Sequence, residues 1–318
     1  MGISLVRYDL EGQIDWGLLR GEMIFSLDQP YDSLRAVLET GREDIERITR
    51  LGADQGIPLS HIKLLSPITT PARIIGQGPN YLEEAQTEKK AHHSFFFRKD
   101  ENAISGPYED VLRPEGCHLL EASLNLGLVI GKSMAEATKV SAAQVPTYVA
   151  GWIMGMDVTS RDHLLRESGD QWYLAKSYRR FAPMGPIVYL PSQEEWESLG
   201  NLELRMWVNG ELKQQFFTRN WMQQPAQSLQ QLSAVMNLDA GDVLLTGGAP
   251  MSQVKLPSGM VQRLGGLIFS EEKRLAAFLQ TIAKDPAYLQ NGDKIRATIT
   301  SADGNISLGE QHYSIATS

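Results

Sequence analysis

The chain has 318 residues, of which 42% are hydrophobic and 21% charged, and its formal net charge is −8 at pH 7. This apolar content with a low net charge per residue excludes intrinsic disorder, and the acidic balance argues against a nucleic-acid partner. The single cysteine, Cys117, excludes an intrachain disulfide and a cysteine zinc site. The apolar runs are shorter than the roughly 20 residues of a membrane helix, and residues 1–20 lack a signal-peptide pattern. We therefore expect a cytoplasmic protein without a membrane partner.

The first part of the chain predicts a small α/β unit. Strand patterns at residues 1–9 and 13–17 flank a turn, and apolar residues at helical spacing follow within 32–51. The X-Pro steps at 66–67 and 70–71 disfavour helix. The sequence therefore predicts an N-terminal domain over 1–68 and a second domain over 69–318.

The second part is predicted to be rich in strands. Asn209-Gly210 lies between two strand patterns and predicts a hairpin with a type I′ turn. Helices are expected at 225–236 and 271–284, where Pro225 and Ser270 are good helix starts. Further strands are predicted at 73–76, 94–98, 120–130, 151–159, 203–208, 211–216, 242–246 and 295–300, with a short one at the C-terminus. This mixture predicts an α+β fold with a curved sheet.

Residues 120–130 give the clearest strand pattern. The even positions are all apolar, whereas Glu121, Ser123 and Asn125 occupy odd positions. Because strand side chains alternate between two faces, these polar residues share one face. A polar row opposite a core row is typical of a pocket lined by a sheet.

A set of segments in a fixed order resembles the fumarylacetoacetate hydrolase superfamily. Each segment is weak alone, but the joint order is specific. The segments are RIIG at 73–76, NY at 80–81, LGLVIGK at 126–132, YVAG at 148–151, MDVTSRD at 156–162, LAKS at 174–177, FAPMGP at 181–186, WVNGEL at 207–212, GDVLLTG at 241–247 and NGD at 291–293.

The resemblance implies a mixed β-roll catalytic domain in a homodimer. It also implies chemistry on small 2-oxo acids or β-dicarbonyl compounds: hydrolytic C–C cleavage, decarboxylation or isomerisation. In this family Mg²⁺ or Mn²⁺ is held by a Glu-x-Glu strand and a later Asp. A lid histidine activates water, and a lysine stabilises the enolate.

This sequence departs from the family pattern at the implied metal site. The alignment puts Ser123 and Asn125 where the two metal-binding glutamates belong, and only Asp157 matches a ligand. In the lid, predicted at about 80–93, Glu84 stands where the histidine belongs. Lys176 is retained.

Two further positions differ from the family pattern outside the implied metal site. Arg98 stands where a lysine is common, and the Thr246-Gly247 loop continues with glycine in place of the usual threonine. An additional helical insertion is predicted at about 251–287.

We therefore expect an enzyme of C–C bond chemistry that needs no cofactor. It would perform cyclisation, condensation or isomerisation of an enolisable β-dicarbonyl or polyketide-like small molecule. The expected catalytic residues are Lys176, Asp157 and Glu84. The expected substrate-binding residues are Tyr81, Arg98, Glu121, Ser123, Asn125, Thr246 and Gly247.

Two alternatives stay open at this point. One is an acylpyruvate or fumarylacetoacetate-type hydrolase, or an oxo-acid decarboxylase, with a metal site rebuilt from Glu121, Asn125 and Asp157. The other is a non-catalytic binding protein that retains the fold.

Overall fold

The computed structural model describes residues 2–50, 56–81, 94–165, 171–248 and 288–317. Within these ranges the strands form two sheets of twelve and five strands. The strands are β1 (Ile3–Leu10), β2 (Gln13–Arg20), β3 (Met23–Ser26), β4 (Ile57–Pro58), β5 (Lys63–Leu65), β6 (Ile74–Gly78), β7 (Phe95–Lys99), β8 (Ile104–Ser105), β9 (Val111–Arg113), β10 (Leu120–Ile130), β11 (Val149–Ser160), β12 (Ala182–Leu190), β13 (Leu202–Val208), β14 (Glu211–Phe217), β15 (Val243–Leu245), β16 (Lys294–Ser301) and β17 (Ser307–Thr317).

The helices of the described ranges are short and lie between these strands. They are α1 (Leu34–Thr40), α2 (Arg42–Ile48), α3 (Val145–Tyr148), α4 (Arg161–Leu165), α5 (Trp172–Lys176) and α6 (Pro225–Ser233). No helix in these ranges is both long enough and apolar enough to cross a bilayer. The predicted helical insertion at 251–287 and most of the predicted lid lie outside the described residues.

The large sheet curls into a roll. Its strand order is β4-β3-β2-β1-β12-β11-β10-β15-β6-β7, and β8, which follows β7 in the chain, pairs in parallel with β12. This pairing brings the β7 edge of the sheet back towards its middle strands. The side chains on the inner face of β7 therefore meet those of β11.

The small sheet, β14-β13-β16-β17-β9, packs against the outside of this roll. Gln214 on β14 accepts a hydrogen bond from Leu124 N on β10. Gln311 on β17 is fully buried and donates to the carbonyl oxygens of Met154 and Gly185. The middle strands β10, β11 and β12 are thus covered on both faces, and most of their residues are buried.

The predicted α+β fold is confirmed, with differences in detail. The predicted helix over 32–51 is two helices. Gly41 has φ −84 and ψ 3, outside the helical range, so α1 ends before it and α2 begins after it. β12 was not predicted, since Pro183 and Pro186 interrupt its strand pattern. The last strand has 11 residues and is longer than predicted.

Strands from both sides of residue 68 belong to the same large sheet. Ile3, Ser4 and Leu5 of β1 pair with residues of β12. The N-terminal strands therefore extend the sheet that carries the middle strands of the roll. The division into domains 1–68 and 69–318 stays a prediction.

Candidate active site

Two neighbouring strands provide a row of polar side chains inside the roll. In the antiparallel pair β10 and β11, Glu121 lies opposite Thr159, and Ser123 lies opposite Asp157. Side chains of directly opposed residues point to the same face of a sheet. Asn125 follows on β10, so the polar row predicted from alternation runs along both strands.

Asp157 is the centre of a buried cluster with two lysines. Lys176 Nζ donates to Asp157 Oδ2 at 2.5 Å, and Lys99 Nζ donates to Asp157 Oδ1 at 2.7 Å. Lys176 also donates to Thr159 Oγ1 at 2.8 Å, and Lys99 donates to the carbonyl oxygen of Val158 at 3.0 Å. Each carboxylate oxygen of Asp157 therefore accepts from one ammonium group. We call Lys99, Asp157 and Lys176 the Asp157 cluster.

The charges of the cluster control its protonation. Burial lowers the pKa of Lys99 from 10.5 to about 8, although the charge of Asp157 opposes this shift. Burial alone would raise the pKa of Asp157, but the charges of Lys176 and Lys99 outweigh it and lower that pKa. At neutral pH Asp157 is therefore ionised, and with both lysines charged the cluster has one net positive charge.

Lys99 was missed by the sequence analysis, which assigned Arg98 to substrate binding. β7 alternates, so Phe95, Phe97 and Lys99 share one face, which is exposed at Phe95 and buried inside the roll at Lys99, whereas Arg98 lies on the other face and is exposed. Lys99 is fully buried. The local sequence of β7, three phenylalanines followed by Arg98 and Lys99, has no apolar–polar alternation that would have distinguished Lys99 from Arg98.

The cluster borders a group of aromatic rings. Lys176 Nζ lies 4.3 Å from the ring centroid of Phe97 and 5.6 Å from that of Trp172. Phe97 lies opposite Gly76 on β6, and a Cβ at position 76 would be only 2.2 Å from the Phe97 ring. The absence of a side chain at Gly76 therefore makes room for this ring.

Glu121 belongs to a separate ion pair. Arg161 Nε donates to Glu121 Oε1 at 2.6 Å, and both side chains are largely buried. Arg161 is the first residue of α4, directly after β11, and its side chain reaches Glu121 at the start of β10. The predicted residue Glu121 therefore lies beside the Asp157 cluster and contacts Arg161.

The loop after β15 closes over Ser123 and Asn125. A Cβ at Gly248 would lie 2.3 Å from Ser123 Oγ and 3.0 Å from Asn125 Nδ2. Asn125 Nδ2 donates to the carbonyl oxygen of Ser123. Ser123 and Asn125 therefore contact the loop, which has no space for a side chain at Gly248.

The remaining predicted residues have mainly structural contacts. The hydroxyl of Thr246 donates to the carbonyl oxygen of Leu126, and Gly247 adopts φ +94 beside Asn80. Tyr81 is fully buried, packs edge-to-face against Phe216 and accepts a hydrogen bond from Trp221. The structure thus brings Tyr81 into the core and not into the Asp157 cluster. Glu84 lies outside the described residues.

Comparison with known proteins assigns the chain to a family. A family model described as "Fumarylacetoacetate (FAA) hydrolase C-terminal" matches residues 73–312. The chain belongs to this family.

The fumarylacetoacetate hydrolase relatives include named enzymes. The "Fumarylacetoacetate hydrolase domain-containing protein 2 homolog" of Dictyostelium discoideum is 31% identical over 235 residues, covering 71% of this chain and 76% of the relative. "Oxaloacetate tautomerase Fahd2a, mitochondrial" of Rattus norvegicus is 31% identical over 196 residues, and this alignment covers 61% of each chain. These relationships support an enzyme of the isomerase or hydrolase type that acts on a small molecule.

A solved structure extends the comparison to the whole fold. The maleylpyruvate hydrolase of Sphingobium sp. SYK-6, in complex with manganese (II) ion and pyruvate, has a TM-score of 0.70 with 21% sequence identity. The match covers 99% of both chains. At this identity the likeness concerns the fold alone.

The donor set does not fit the divalent ion that the family implies. Mg²⁺ and Mn²⁺ prefer several oxygen ligands, mostly carboxylates. Among the described residues no group of three or more His, Cys, Asp or Glu side chains comes together. Both oxygens of Asp157 accept from lysines, Glu121 pairs with Arg161, and Ser123 and Asn125 are neutral. This arrangement suits an anionic ligand better than a cation.

Proposed function

We propose that this chain catalyses keto–enol isomerisation of an enolisable 2-oxo acid or β-dicarbonyl compound, without a metal ion. The observation that carries the proposal is the Asp157 cluster, in which each oxygen of the Asp157 carboxylate pairs with the ammonium group of one lysine. A site with one net positive charge and a lysine at its edge stabilises a developing enolate.

Lys176 is the proposed catalytic group. An ammonium group has three N–H donors, and Lys176 donates two of them to Asp157 and Thr159. We assign the third to the carbonyl oxygen of the substrate. As a base removes the proton from the carbon next to the carbonyl, the electron pair of that C–H bond forms the C=C bond. The carbonyl π electrons move to oxygen, which takes a proton from Lys176, and the base returns its proton to the lysine.

Asp157 has a positioning role in this proposal. Its lowered pKa makes it a poor proton acceptor, and its two hydrogen bonds fix the ammonium group of Lys176. This differs from the prediction that Asp157 is a catalytic residue. Glu84 remains the proposed base, because a carboxylate that loses contact with water when substrate binds becomes more basic.

Two observations favour isomerisation over hydrolysis. The first is that several relatives are named oxaloacetate tautomerase, and a tautomerase catalyses keto–enol conversion. The rebuilt metal site of the hydrolase alternative needs Glu121 and Asp157 as ligands, and these carboxylates instead pair with Arg161 and with the two lysines.

The test is a tautomerase assay after removal of metal. The purified full-length protein is treated with EDTA, its Mg and Mn contents are measured, and enol absorbance is followed with oxaloacetate and phenylpyruvate. We expect a rate above the spontaneous one for at least one substrate, unchanged by EDTA. Lys176→Met should lower kcat by about 100-fold, the effect of losing one donor to a developing oxyanion.

The matched control is Lys213→Met. Lys213 lies on β14 of the small sheet and pairs with Glu211, so its loss should leave kcat unchanged. A stoichiometric Mg²⁺ or Mn²⁺ whose removal abolishes turnover would overturn the proposal. So would the absence of any rate above the spontaneous one with both substrates.

A further inference from the structure

Three aromatic side chains form a continuous surface next to the Asp157 cluster. The ring centroids of Phe95 and Trp172 are 4.8 Å apart in an edge-to-face contact, and those of Phe97 and Trp172 are 5.7 Å apart and stacked. Phe95 and Phe97 are 6.2 Å apart. We call Phe95, Phe97 and Trp172 the aromatic wall.

The wall is open to solvent, unlike the aromatic residues of the core. Phe95 is 41% exposed, and Phe97 and Trp172 are half-buried. Tyr173 and Leu174, the next two residues of α5, are also exposed, at 57% and 45%. Exposed apolar surface of this kind beside polar groups is typical of a ligand-binding site.

The wall also lies within reach of any ligand held by Lys176. The ammonium group of Lys176 is 4.3 Å from the Phe97 centroid and 5.6 Å from the Trp172 centroid. A substrate oxygen that accepts from Lys176 therefore has its neighbouring atoms against these rings. The inner part of the site is therefore lined by the charged groups of the Asp157 cluster, and the outer part is lined by the aromatic wall.

The charges argue for a substrate with one acidic end. The Asp157 cluster has one net positive charge, and Arg161 is paired with Glu121. A second carboxylate on the substrate would be directed at the rings of the aromatic wall, where burying a charge against apolar side chains is costly. An aromatic or bulky apolar substituent would instead bury apolar area there.

We propose that the site accepts 2-oxo acids or β-dicarbonyl compounds with one acidic end and an aromatic or bulky apolar substituent, which packs against the aromatic wall. The inference rests on the proposed function, since it names the substrate class of the same site. It separates this chain from relatives whose named substrate, oxaloacetate, is a dicarboxylate.

The test measures equilibrium binding of ligands that cannot enolise. Phenylglyoxylate and oxamate are both monoanions with a carbonyl next to the carboxylate, and only the first has an aromatic ring. Isothermal titration of the full-length protein should show phenylglyoxylate binding about tenfold tighter than oxamate, because its ring buries apolar surface. Oxalate, a dianion, should bind no tighter than oxamate.

Variants of the wall should remove this preference. Trp172→Leu should reduce the phenylglyoxylate preference to about twofold and leave the affinity for oxamate nearly unchanged. Phe95→Leu changes an exposed side chain and provides the same test if Trp172→Leu does not fold. Trp207→Leu is the matched control, because Trp207 lies on β13 of the small sheet and stacks with Arg296.

The outcomes distinguish this inference from the proposed function. Equal affinities for phenylglyoxylate and oxamate, or a preference that survives in both wall variants, would overturn the inference even if the enzyme isomerises oxo acids. A preference that depends on the wall would support the inference even if the tautomerase assay fails, because neither ligand is turned over.

Discussion

At the scale of single residues, Asp157 is the counter-charge of two buried ammonium groups. Lys99 is fully buried and Lys176 nearly so, and burial of a charge is costly unless it is paired and hydrogen-bonded. Asp157 supplies one bond to each lysine. The carboxylate is therefore needed for the stability of the folded state as well as for the position of Lys176.

Asp157→Asn should test this role through stability. The substitution keeps the shape but leaves two lysines without their counter-charge. We expect the free energy of unfolding at pH 7 to fall by about 3 kcal/mol, the range seen when one partner of a buried pair is removed. Urea denaturation of wild type and variant measures this.

The control for this prediction is an ion pair on the surface. Glu310→Gln removes the ion pair between Glu310 and Arg296. The two side chains are 40% and 53% exposed, respectively, so this substitution should change the free energy of unfolding little. Equal stability of wild type and Asp157→Asn would show that the lysines are not held by this carboxylate.

At the scale of elements, the candidate site depends on the pairing of β6 with β7. The register puts Phe97 opposite Gly76 and Lys99 opposite Ile74. The alternation of β7 then directs Phe95, Phe97 and Lys99 to the same side. One short strand therefore supplies both the buried lysine and two rings of the aromatic wall.

Gly76→Ala should disturb the wall without removing any of its residues. The new methyl group would lie 2.2 Å from the far end of the Phe97 ring, which must move. We expect a loss of about 1–3 kcal/mol in the free energy of unfolding, as for other overpacked sites, and phenylglyoxylate binding weakened about fivefold. Denaturation and titration of the same sample give both values.

Gly200→Ala is the matched substitution, because a Cβ at position 200 meets no atom within 4 Å. It should leave ligand binding unchanged. Unaltered phenylglyoxylate affinity in Gly76→Ala would mean that the ring of Phe97 does not contact the ligand.

At the scale of the whole molecule, the roll is held to the small sheet by buried polar contacts. The amide of Gln311 on β17 donates to Gly185 O at 2.9 Å and to Met154 O at 3.1 Å. These carbonyl groups belong to β12 and β11, the strands that lead to the Asp157 cluster. A buried hydrogen bond of this kind fixes two layers in one arrangement.

Gln311→Met should weaken this connection at nearly constant side-chain volume. The carbonyl oxygens would lose their donor in a buried setting, so we expect the free energy of unfolding to fall by about 2–3 kcal/mol. Gln215→Met, at an exposed position of β14, should have little effect. Chemical denaturation of both variants checks the difference, and equal effects at the two positions would contradict it.

The homodimer that the family resemblance implies belongs to this scale as well and stays a prediction.

The sequence by itself determined the features that depend on local periodicity. Alternation along 120–130 predicted both the bounds of β10 and the polar face with Ser123 and Asn125. Asn209-Gly210 predicted the hairpin, and both residues adopt positive φ. The ordered segments predicted the family and, with it, the α+β fold. These features were accessible because each follows from residues close together in the chain.

Only the tertiary structure decided which side chains meet in the site. Lys99 reaches Asp157 across 58 residues, and Arg161 reaches Glu121 across 40, because the roll brings β7 and the ends of β10 and β11 together. Sequence spacing carries no record of such contacts, so the sequence pointed to Arg98 instead of Lys99. The physical reason is that burial and charge pairing are properties of the closed roll, whereas alternation is a property of each strand.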